Sequence, residues 1–292
     1  MKNCVKKNIT LDGQSVPLYF PVKGETIDVS DLIADSYDKR KTFNHTFFIF
    51  GQYFNKVVNS TVSQADFDST GVKILPSNSA LDPYFNIIKN YSNTDTKLDY
   101  DSALGILTAF KKIYEALDAE FHWMQIENFI VPLKGGGFVI NLFDTTGKNI
   151  LPVEAKRVPL KTSSTLGLGM NLEPQDLAKL DSFSAEINGK EVAFLEVCVA
   201  SGMTTIGFLL DLHLRGVTPK RVKVITAAAS IQGIELVKRV ASQLDIEVEF
   251  FTAKLMEDVG DLYNVSQDSI IYTDGTFVVK SPEYAYHIVY GT

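Results

Sequence analysis

The stretch VAFLEVCVASGMTTIGFLLDLHLRGVTPKRVKVITAAASIQGIELVKRVASQLDIEVEFFTA (Val192–Ala253) decides the fold. Three of its segments are apolar and lack the in-and-out alternation of a half-exposed strand. They are Val192–Ala200, Arg221–Ala229 and Glu247–Ala253. Because strands of this kind are buried on both faces, and because helix-like segments separate them, they are expected to be parallel. The sequence therefore predicts an α/β fold with a doubly wound, mostly parallel sheet.

The same order of elements continues upstream. Tyr100–Ala119 has apolar residues at three- and four-residue steps, as an amphipathic helix does. Phe129–Leu133 then reads as a buried strand that runs into a glycine-rich turn. In doubly wound folds ligands bind outside the carboxyl ends of the strands. We therefore expect the functional site in the loops after Leu133, Ala200 and Ala229.

The N-terminal third has a different texture. A stretch rich in Asn, Ser, Thr and Asp, Asn90–Thr96, separates the two parts and predicts a boundary near residue 95. Residues 1–95 would then form an N-terminal extension and residues 96–292 the α/β domain. The extension contains an aromatic segment, Phe43–Val58, which could be a strand or a buried helix, because its apolar run does not decide the period. Its role stays open between covering the active site and forming an oligomer interface.

Composition excludes several classes of function. The 292 residues are 45% apolar, enough for a large core, and 28 Lys and Arg against 35 Asp and Glu give a net charge of −7. This balance argues against a broad basic surface for nucleic acid or anionic lipid. The two cysteines, Cys4 and Cys198, support neither a disulfide framework nor a Cys-rich zinc site. With no apolar run of ~20 residues and no secretory signal, we expect a cytoplasmic protein without a membrane span.

The loop after Ala200 has the composition of an anion site. Residues 200–205 read ASGMTT, so small and hydroxyl-bearing residues open the next helix. Backbone N–H groups at a helix N-terminus, together with Ser and Thr hydroxyls, bind phosphate groups readily. The loop has no lysine and is not a Walker A sequence. The alternative is a plain strand-to-helix turn in which Ser and Thr cap the helix.

A second loop, VPLKGGG (Val131–Gly137), also suits an anion. Its glycines allow the backbone to approach a ligand closely, and Lys134 adds a positive charge beside them. The alternative is a flexible turn with a solvated lysine. The strand between the two loops carries one acid, Glu196, near its end. Two such loops with an acid between them indicate a ligand that carries phosphate at both ends.

Taken in order, these motifs resemble the type I phosphoribosyltransferases, and most closely the uracil phosphoribosyltransferase branch. Leu195–Thr204 corresponds to that branch's L-D-P-M-L-A-T-G-G-S, and VPLKGGG to its V-P-I-L-R-A-G-L. Arg215–Glu235 resembles its segment ending in V-A-A-P-E-G, and Phe251–Ala253 lies where the branch has Y-T-A. The last residues, Tyr290–Thr292, are similar to its terminal F-G-T. The resemblance covers roughly residues 100 to 292.

This resemblance implies transfer of ribose 5-phosphate from 5-phosphoribosyl 1-diphosphate (PRPP) to a base nitrogen, with release of pyrophosphate. Glu196 would bind the ribose hydroxyls and stabilise developing positive charge, and Lys134 would assist catalysis from the diphosphate loop. The implied 5-phosphate site is Ala200, Ser201, Gly202, Met203, Thr204 and Thr205. The implied diphosphate site is Lys134, Gly135, Gly136 and Lys161.

Cofactor and partners also follow from the resemblance. Mg²⁺ would be held mainly by the diphosphate oxygens, without metal ligands from protein side chains. The substrates would be PRPP and a free base, and the protein would be a homodimer.

The chain departs from the family pattern at several positions. The loop aspartate is Glu196, the loop's second glycine is Met203 and the diphosphate arginine is Lys134. The base-reading G-L-G-D-A-G-D is missing, and SPEYAYH (residues 281–287) stands in its place. The candidate base-binding residues are therefore Asp274, Tyr284 and His287. We expect an acceptor other than uracil. The alternative function is a non-catalytic member of the fold that binds a nucleotide or partner as sensor or scaffold.

Overall fold

The computed structural model describes residues 3–22, 25–28, 42–43, 47–49, 67–76, 80–92, 98–132, 135–145, 156–160, 162–163, 167–170, 174–256, 270–273, 276–279 and 282–291. The helices are α1 (Asp82–Ser92), α2 (Tyr100–Phe121), α3 (Gly135–Thr145), α4 (Pro174–Ile187), α5 (Met203–Leu214), α6 (Ile231–Gln243) and α7 (Pro282–Tyr290). The strands are β1 (Cys4–Leu11), β2 (Gln14–Pro21), β3 (Ile27–Asp28), β4 (Thr42–Phe43), β5 (Phe47–Ile49), β6 (Val72–Ile74), β7 (Asn128–Pro132), β8 (Lys156–Leu160), β9 (Thr162–Ser163), β10 (Gly167–Met170), β11 (Glu191–Val199), β12 (Arg221–Ser230), β13 (Val248–Met256), β14 (Ile270–Thr273) and β15 (Thr276–Val279). Among the helices in these ranges, none is long and apolar enough to cross a membrane.

The main sheet has six strands in the order β6-β13-β12-β11-β7-β8. Each neighbouring pair is parallel. After β7 the chain adds β8 on one side, and it then returns to place β11, β12 and β13 on the other side. The strand order therefore reverses between β7 and β11. The predicted α/β fold with a parallel sheet is confirmed.

Helices and a hairpin cover both faces of this sheet. On one face, buried side chains of β11 and β12 pack against α4, α5, α6 and the β1–β2 hairpin. Phe194 of β11 stacks on Phe208 of α5, with ring centroids 5.2 Å apart. On the other face the strands pack against α1, α2, α3 and α7. This double cover explains why the strands read as continuous apolar runs.

The N-terminal residues join the α/β unit directly. Strand β6 lies parallel to β13, where Val72 pairs with Phe250. Ile9 and Leu18 of the hairpin belong to the same buried cluster as α5 and α6. A second sheet, of order β1-β2-β5-β10-β9, links the hairpin to residues 162–163 and 167–170. Residues on the two sides of residue 95 thus share a sheet and a core, while the boundary itself stays a prediction.

The aromatic segment Phe43–Val58 is described only in part. Phe43 ends the short strand β4 and residues 47–49 form β5. Residues 44–46 and 50–58 lie outside the described residues. The described part is therefore strand, one of the two alternatives that the sequence left open.

Charged side chains cluster where the strands of the main sheet begin, which we call the amino edge of the sheet. The Lys223 ammonium lies 2.8 Å from a carboxylate oxygen of Glu191. Arg221 reaches Glu247 at 2.8 Å and Glu249 at 3.6 Å. The hydrogen bond from Lys223 is the largest cause of a lowered pKa at Glu191, and partial burial opposes it.

The lowered pKa of Glu191 predicts a pH-dependent contribution to stability. A carboxyl whose pKa falls on folding stabilises the protein above its ordinary pKa, 4.5, and loses that effect as pH falls through the folded value. Glu191→Gln should therefore lower the unfolding temperature near neutral pH, and the difference from wild type should shrink in acid. Thermal unfolding across this pH range, with Glu120→Gln on an exposed part of α2 as control, measures it. A difference that does not change with pH would contradict the prediction.

Candidate functional site

The reversal of strand order brings two carboxyl strand ends together. Strands β7 and β11 are neighbours, with Phe129 paired to Ala193 and Ile130 to Phe194. Helix α3 begins shortly after β7, and α5 begins shortly after β11. Both helix N-termini therefore lie at the crevice where doubly wound folds bind ligands. This is where the sequence placed its two anion loops.

Helix α3 approaches β11 as closely as a backbone can. A Cβ atom on Gly136 would lie 2.3 Å from the carbonyl oxygen of Leu195 and 3.0 Å from Cδ of Pro132. No side chain fits in that space, so glycine is required here. The first turn of α3 comes to lie directly beside the strand residue that precedes Glu196.

Helix α5 begins at a glycine cap. Gly202 has a φ of 70°, a left-handed conformation that glycine adopts without strain, and it has no side chain to occupy the N–H groups of the first turn. That turn, Met203–Thr205, contains no acidic residue. Its N–H groups and the positive end of the helix dipole suit an anion. Thr205 is 1% exposed, so its side chain is part of the core.

Helix α6 holds the loop between β11 and α5. A Cβ atom on Gly233 would lie 2.2 Å from the carbonyl oxygen of Ala200, and one on Gly202 would lie 2.4 Å from Cγ2 of Val237. Ser230 caps α6, and its hydroxyl accepts a hydrogen bond of 2.8 Å from the Gly233 N–H. The same hydroxyl donates to the carbonyl oxygen of Ala200. One buried serine thus fixes both a helix start and the anion loop.

Glu196 lies between these two helix starts. The residue is partly buried, and its Oε2 atom is inaccessible to solvent. Its main-chain oxygen accepts a hydrogen bond of 2.6 Å from the hydroxyl of Tyr114 on α2. Thr226 on β12 donates to the next carbonyl, that of Val197, at 3.0 Å. The backbone that carries the acid is therefore held from two sides.

The structure brings part of the predicted site together. Gly136, Glu196 and the Ala200–Thr205 loop meet at the crevice. Gly135 begins α3 beside them, although its surroundings are not described. Three predicted residues, Lys134, Lys161 and Asp274, lie outside the described residues.

Two of the three candidate base-binding residues, Tyr284 and His287, lie on α7. Tyr284 is within this helix, and His287, in its last turn, is exposed. The helix packs on α2 and α3, and Ala285 is buried in their shared core. The described contacts do not bring His287 to Glu196, so its role stays a prediction.

Two residues of the site were not found from the sequence. Ser230 stands directly before a helix, so its capping role is a signal that the sequence does offer. Its second bond, to the Ala200 carbonyl, depends on a contact between distant segments. Tyr114 reads as one more member of the apolar stripe of α2, and nothing in its spacing indicates a hydrogen bond to β11.

Comparison with known proteins gives similarities of architecture. No family model matches the chain, and no curated protein matches it. Similar solved structures include the AQ2163 protein from Aquifex aeolicus, 19% identical, covering 68% of this chain and 100% of that one with a TM-score of 0.43. Adenine phosphoribosyltransferase from Trypanosoma brucei is 10% identical and covers 65% and 86%, with a TM-score of 0.40. Orotate phosphoribosyltransferase from Mycobacterium tuberculosis is 12% identical and covers 64% and 93%, with a TM-score of 0.34. Similarities this low do not transfer a function.

The glycines of α3 predict two opposite effects of the same substitution. Gly136→Ala should lower the free energy of unfolding by about 1–3 kcal/mol, because the new methyl group meets the Leu195 carbonyl. Gly137→Ala is the matched control, since its Cβ would lie 3.8 Å from the nearest atom, the Pro132 oxygen. The control should be neutral or stabilising by up to about 1 kcal/mol, because alanine favours helix. Urea unfolding of both variants measures the difference, and equal effects would contradict the close approach.

The two bonds of Ser230 predict a measurable loss. Ser230→Ala removes the cap of α6 and the donor to the Ala200 carbonyl, which should cost about 1–2 kcal/mol. Ser242→Ala, on an exposed position of the same helix, should stay within about 0.5 kcal/mol of wild type. Urea unfolding again provides the measurement. A Ser230→Ala protein as stable as the control would show that the cap does not hold the loop.

Proposed function

We propose that the chain is a PRPP-dependent phosphoribosyltransferase that transfers ribose 5-phosphate to a nucleobase-like acceptor and releases pyrophosphate. One observation carries the proposal. An acidic residue, Glu196, lies between two helix starts free of acidic residues at the point where the strand order reverses. This arrangement suits a sugar ring with phosphate groups on both sides of it. The motif order from residue 100 onward supports the same reaction.

The Ala200–Thr205 loop would bind the 5-phosphate. The first-turn N–H groups of α5 would donate to the phosphate oxygens, with the hydroxyls of Ser201 and Thr204 beside them, both at partly exposed positions. Thr205 would contribute through its backbone N–H, since its side chain is buried. Ser230 fixes the loop before the ligand arrives, which lowers the entropy lost on binding.

Glu196 would act on the ribose. Its carboxylate would accept hydrogen bonds from the ribose hydroxyls and stabilise the positive charge that develops at C1 as the bond to the diphosphate oxygen breaks. The base nitrogen would then form the new bond to C1, and pyrophosphate would leave with the electron pair. Positioning and electrostatics supply the catalysis of such a displacement, without a covalent intermediate on the protein.

The first turn of α3 would bind the diphosphate, with Gly135 and Gly136 close to it and with Lys134 and Lys161 as the proposed cationic residues. Among the described residues no group of three His, Cys, Asp or Glu side chains could hold a metal ion. The donors at the crevice are backbone N–H groups and hydroxyls, which fit an anion. Mg²⁺ would therefore be held mainly by the diphosphate, whose charge it would neutralise.

We also propose that the acceptor is a base other than uracil. Asp274, Tyr284 and His287 are its proposed contacts, because the base-reading motif of the uracil branch is missing at residues 281–287. We also propose that the chain belongs to the type I phosphoribosyltransferases, near the uracil branch, that it forms a homodimer and that it is located in the cytoplasm.

Pyrophosphate release tests the proposal. The protein is incubated with PRPP, Mg²⁺ and a panel of free pyrimidine, purine and pyridine bases, and we expect release with one of them. Glu196→Gln should lower kcat for that base at least about 100-fold, because it removes the charge that faces the developing cation. Glu247→Gln, on the exposed amino edge of the sheet, is the matched control and should change kcat less than about twofold.

A thermal-shift measurement with PRPP and Mg²⁺ separates the alternatives, since a ligand of the native state raises its stability. Stabilisation without release by any base would favour the non-catalytic sensor or scaffold. Neither stabilisation nor release would overturn PRPP binding altogether.

A further inference from the structure

Tyr114 contacts the backbone of the candidate site. It lies on α2, is 0% exposed, and packs edge to face on Trp123 with ring centroids 6.1 Å apart. Its hydroxyl donates to the main-chain oxygen of Glu196 at 2.6 Å. A buried tyrosine needs a partner for its hydroxyl, and the partner here is the carbonyl of the acidic residue at the end of β11.

The hydroxyl sits at a break in the sheet. Glu196 pairs with Thr226 and Cys198 pairs with Ala228, yet the pair Val197–Ala227 is missing from this otherwise continuous ladder. Tyr114 therefore bonds β11 at the residue directly before the missing pair.

The break continues into the next strand. Thr226 pairs with Thr252 and Ala228 with Lys254, while the pair between Ala227 and the intervening residue of β13 is missing from that ladder. Both threonines are 0% exposed, and the hydroxyl oxygen of each lies 2.9 Å from the carbonyl oxygen two residues further along its own strand. The two hydroxyls thus have the same local partner, but the single proton of the Thr226 hydroxyl is shared between this carbonyl and that of Val197 on β11.

Past the break the side chains change faces. Consecutive residues Ala227 and Ala228 of β12 both lie in the core cluster on the α2 side, and Ala229 lies in the opposite cluster. In a regular strand consecutive side chains point to opposite faces, so a local break decides which way the neighbouring residues point. Glu196 is the last residue of β11 before this break.

Burial and a nearby charge keep the Tyr114 hydroxyl protonated. Burial raises the pKa of Tyr114 well above its ordinary value, and the negative charge of Glu196 raises it further. The hydroxyl therefore keeps its proton near neutral pH and can donate it to the Glu196 carbonyl.

We propose that Tyr114 is a positioning residue for Glu196: its hydroxyl holds the strand open after Glu196 and thereby sets the direction of the carboxylate toward the ribose. The inference rests on the proposed function. It predicts a specific kinetic signature, because the 5-phosphate loop is held separately by Ser230. Loss of the hydroxyl should misdirect the carboxylate without disturbing the phosphate loop.

Tyr114→Phe tests this role, since phenylalanine keeps the ring and its contact with Trp123. With the base identified above, we expect kcat to fall about tenfold, because a small misplacement of a catalytic group costs this much or more. KM for PRPP should change less than about twofold. Thr252→Val is the matched control: it removes a buried hydroxyl with the same local bond, two strands away from Glu196.

The kinetics of the two variants distinguish a positioning role from a purely structural one. A fall in kcat at constant KM in Tyr114→Phe, with near wild-type kinetics in Thr252→Val, supports the positioning role. Unchanged kcat, or parallel changes of kcat and KM, would overturn it. A Tyr114→Phe protein that lacks the wild-type circular dichroism spectrum would also overturn it, because the hydroxyl would then serve the fold as a whole. If the wild-type protein shows no turnover, the proposed function itself is wrong. This result is obtained before any variant is compared.

Discussion

The carbonyl groups at the end of β11 are the constraint on which the candidate site depends. The Leu195 oxygen lies against Gly136, and the Glu196 oxygen accepts from Tyr114. The Val197 oxygen accepts from Thr226, and the Ala200 oxygen accepts from Ser230. These contacts come from α3, α2 and β12, and the last residue of β12, Ser230, also caps α6. Because main-chain atoms make these contacts, the path of the strand is fixed independently of the side chains that would meet a ligand.

The amino edge of the main sheet, where its strands begin, and the carboxyl edge, where they end, carry different kinds of residue. At the amino edge, ion pairs join β11, β12 and the start of β13 through Glu191, Arg221 and Lys223. The described carboxyl edge at β11 and the start of α5 reads EVCVASGMTT (residues 196–205), in which Glu196 is the one charged residue. Exposed ion pairs contribute little each to stability. The ion pairs of Glu191, Arg221 and Lys223 and the candidate site thus lie at opposite ends of the same strands.

The sequence predicted the architecture better than the contacts that hold the end of β11 in place. Continuous apolar runs such as Val192–Ala200 reveal a buried parallel strand, because burial on both faces leaves a local signature. The three-residue strand β6 was missed, since so short a run has no period. The bond from Tyr114 was missed for a different reason: its partner is 82 residues away, and no local pattern encodes it. Base recognition stays a prediction because two of its three candidate residues, Asp274 and Tyr284, have no described side-chain surroundings.

The pairing of β6 with β13 has a consequence for how the chain folds. Val72 of β6 pairs with Phe250 of β13. At the turn of the β1–β2 hairpin, the backbone N–H of Asp12 donates a hydrogen bond to the side chain of Gln243, a residue 231 positions later. Contacts between such distant segments require closure of very long loops, whose entropy must be lost before the contacts form. Folding of this unit is therefore expected to be slow. During synthesis, the N-terminal hairpin would leave the ribosome long before α6 and β13 exist to cover its apolar face, which makes it a natural substrate for chaperones.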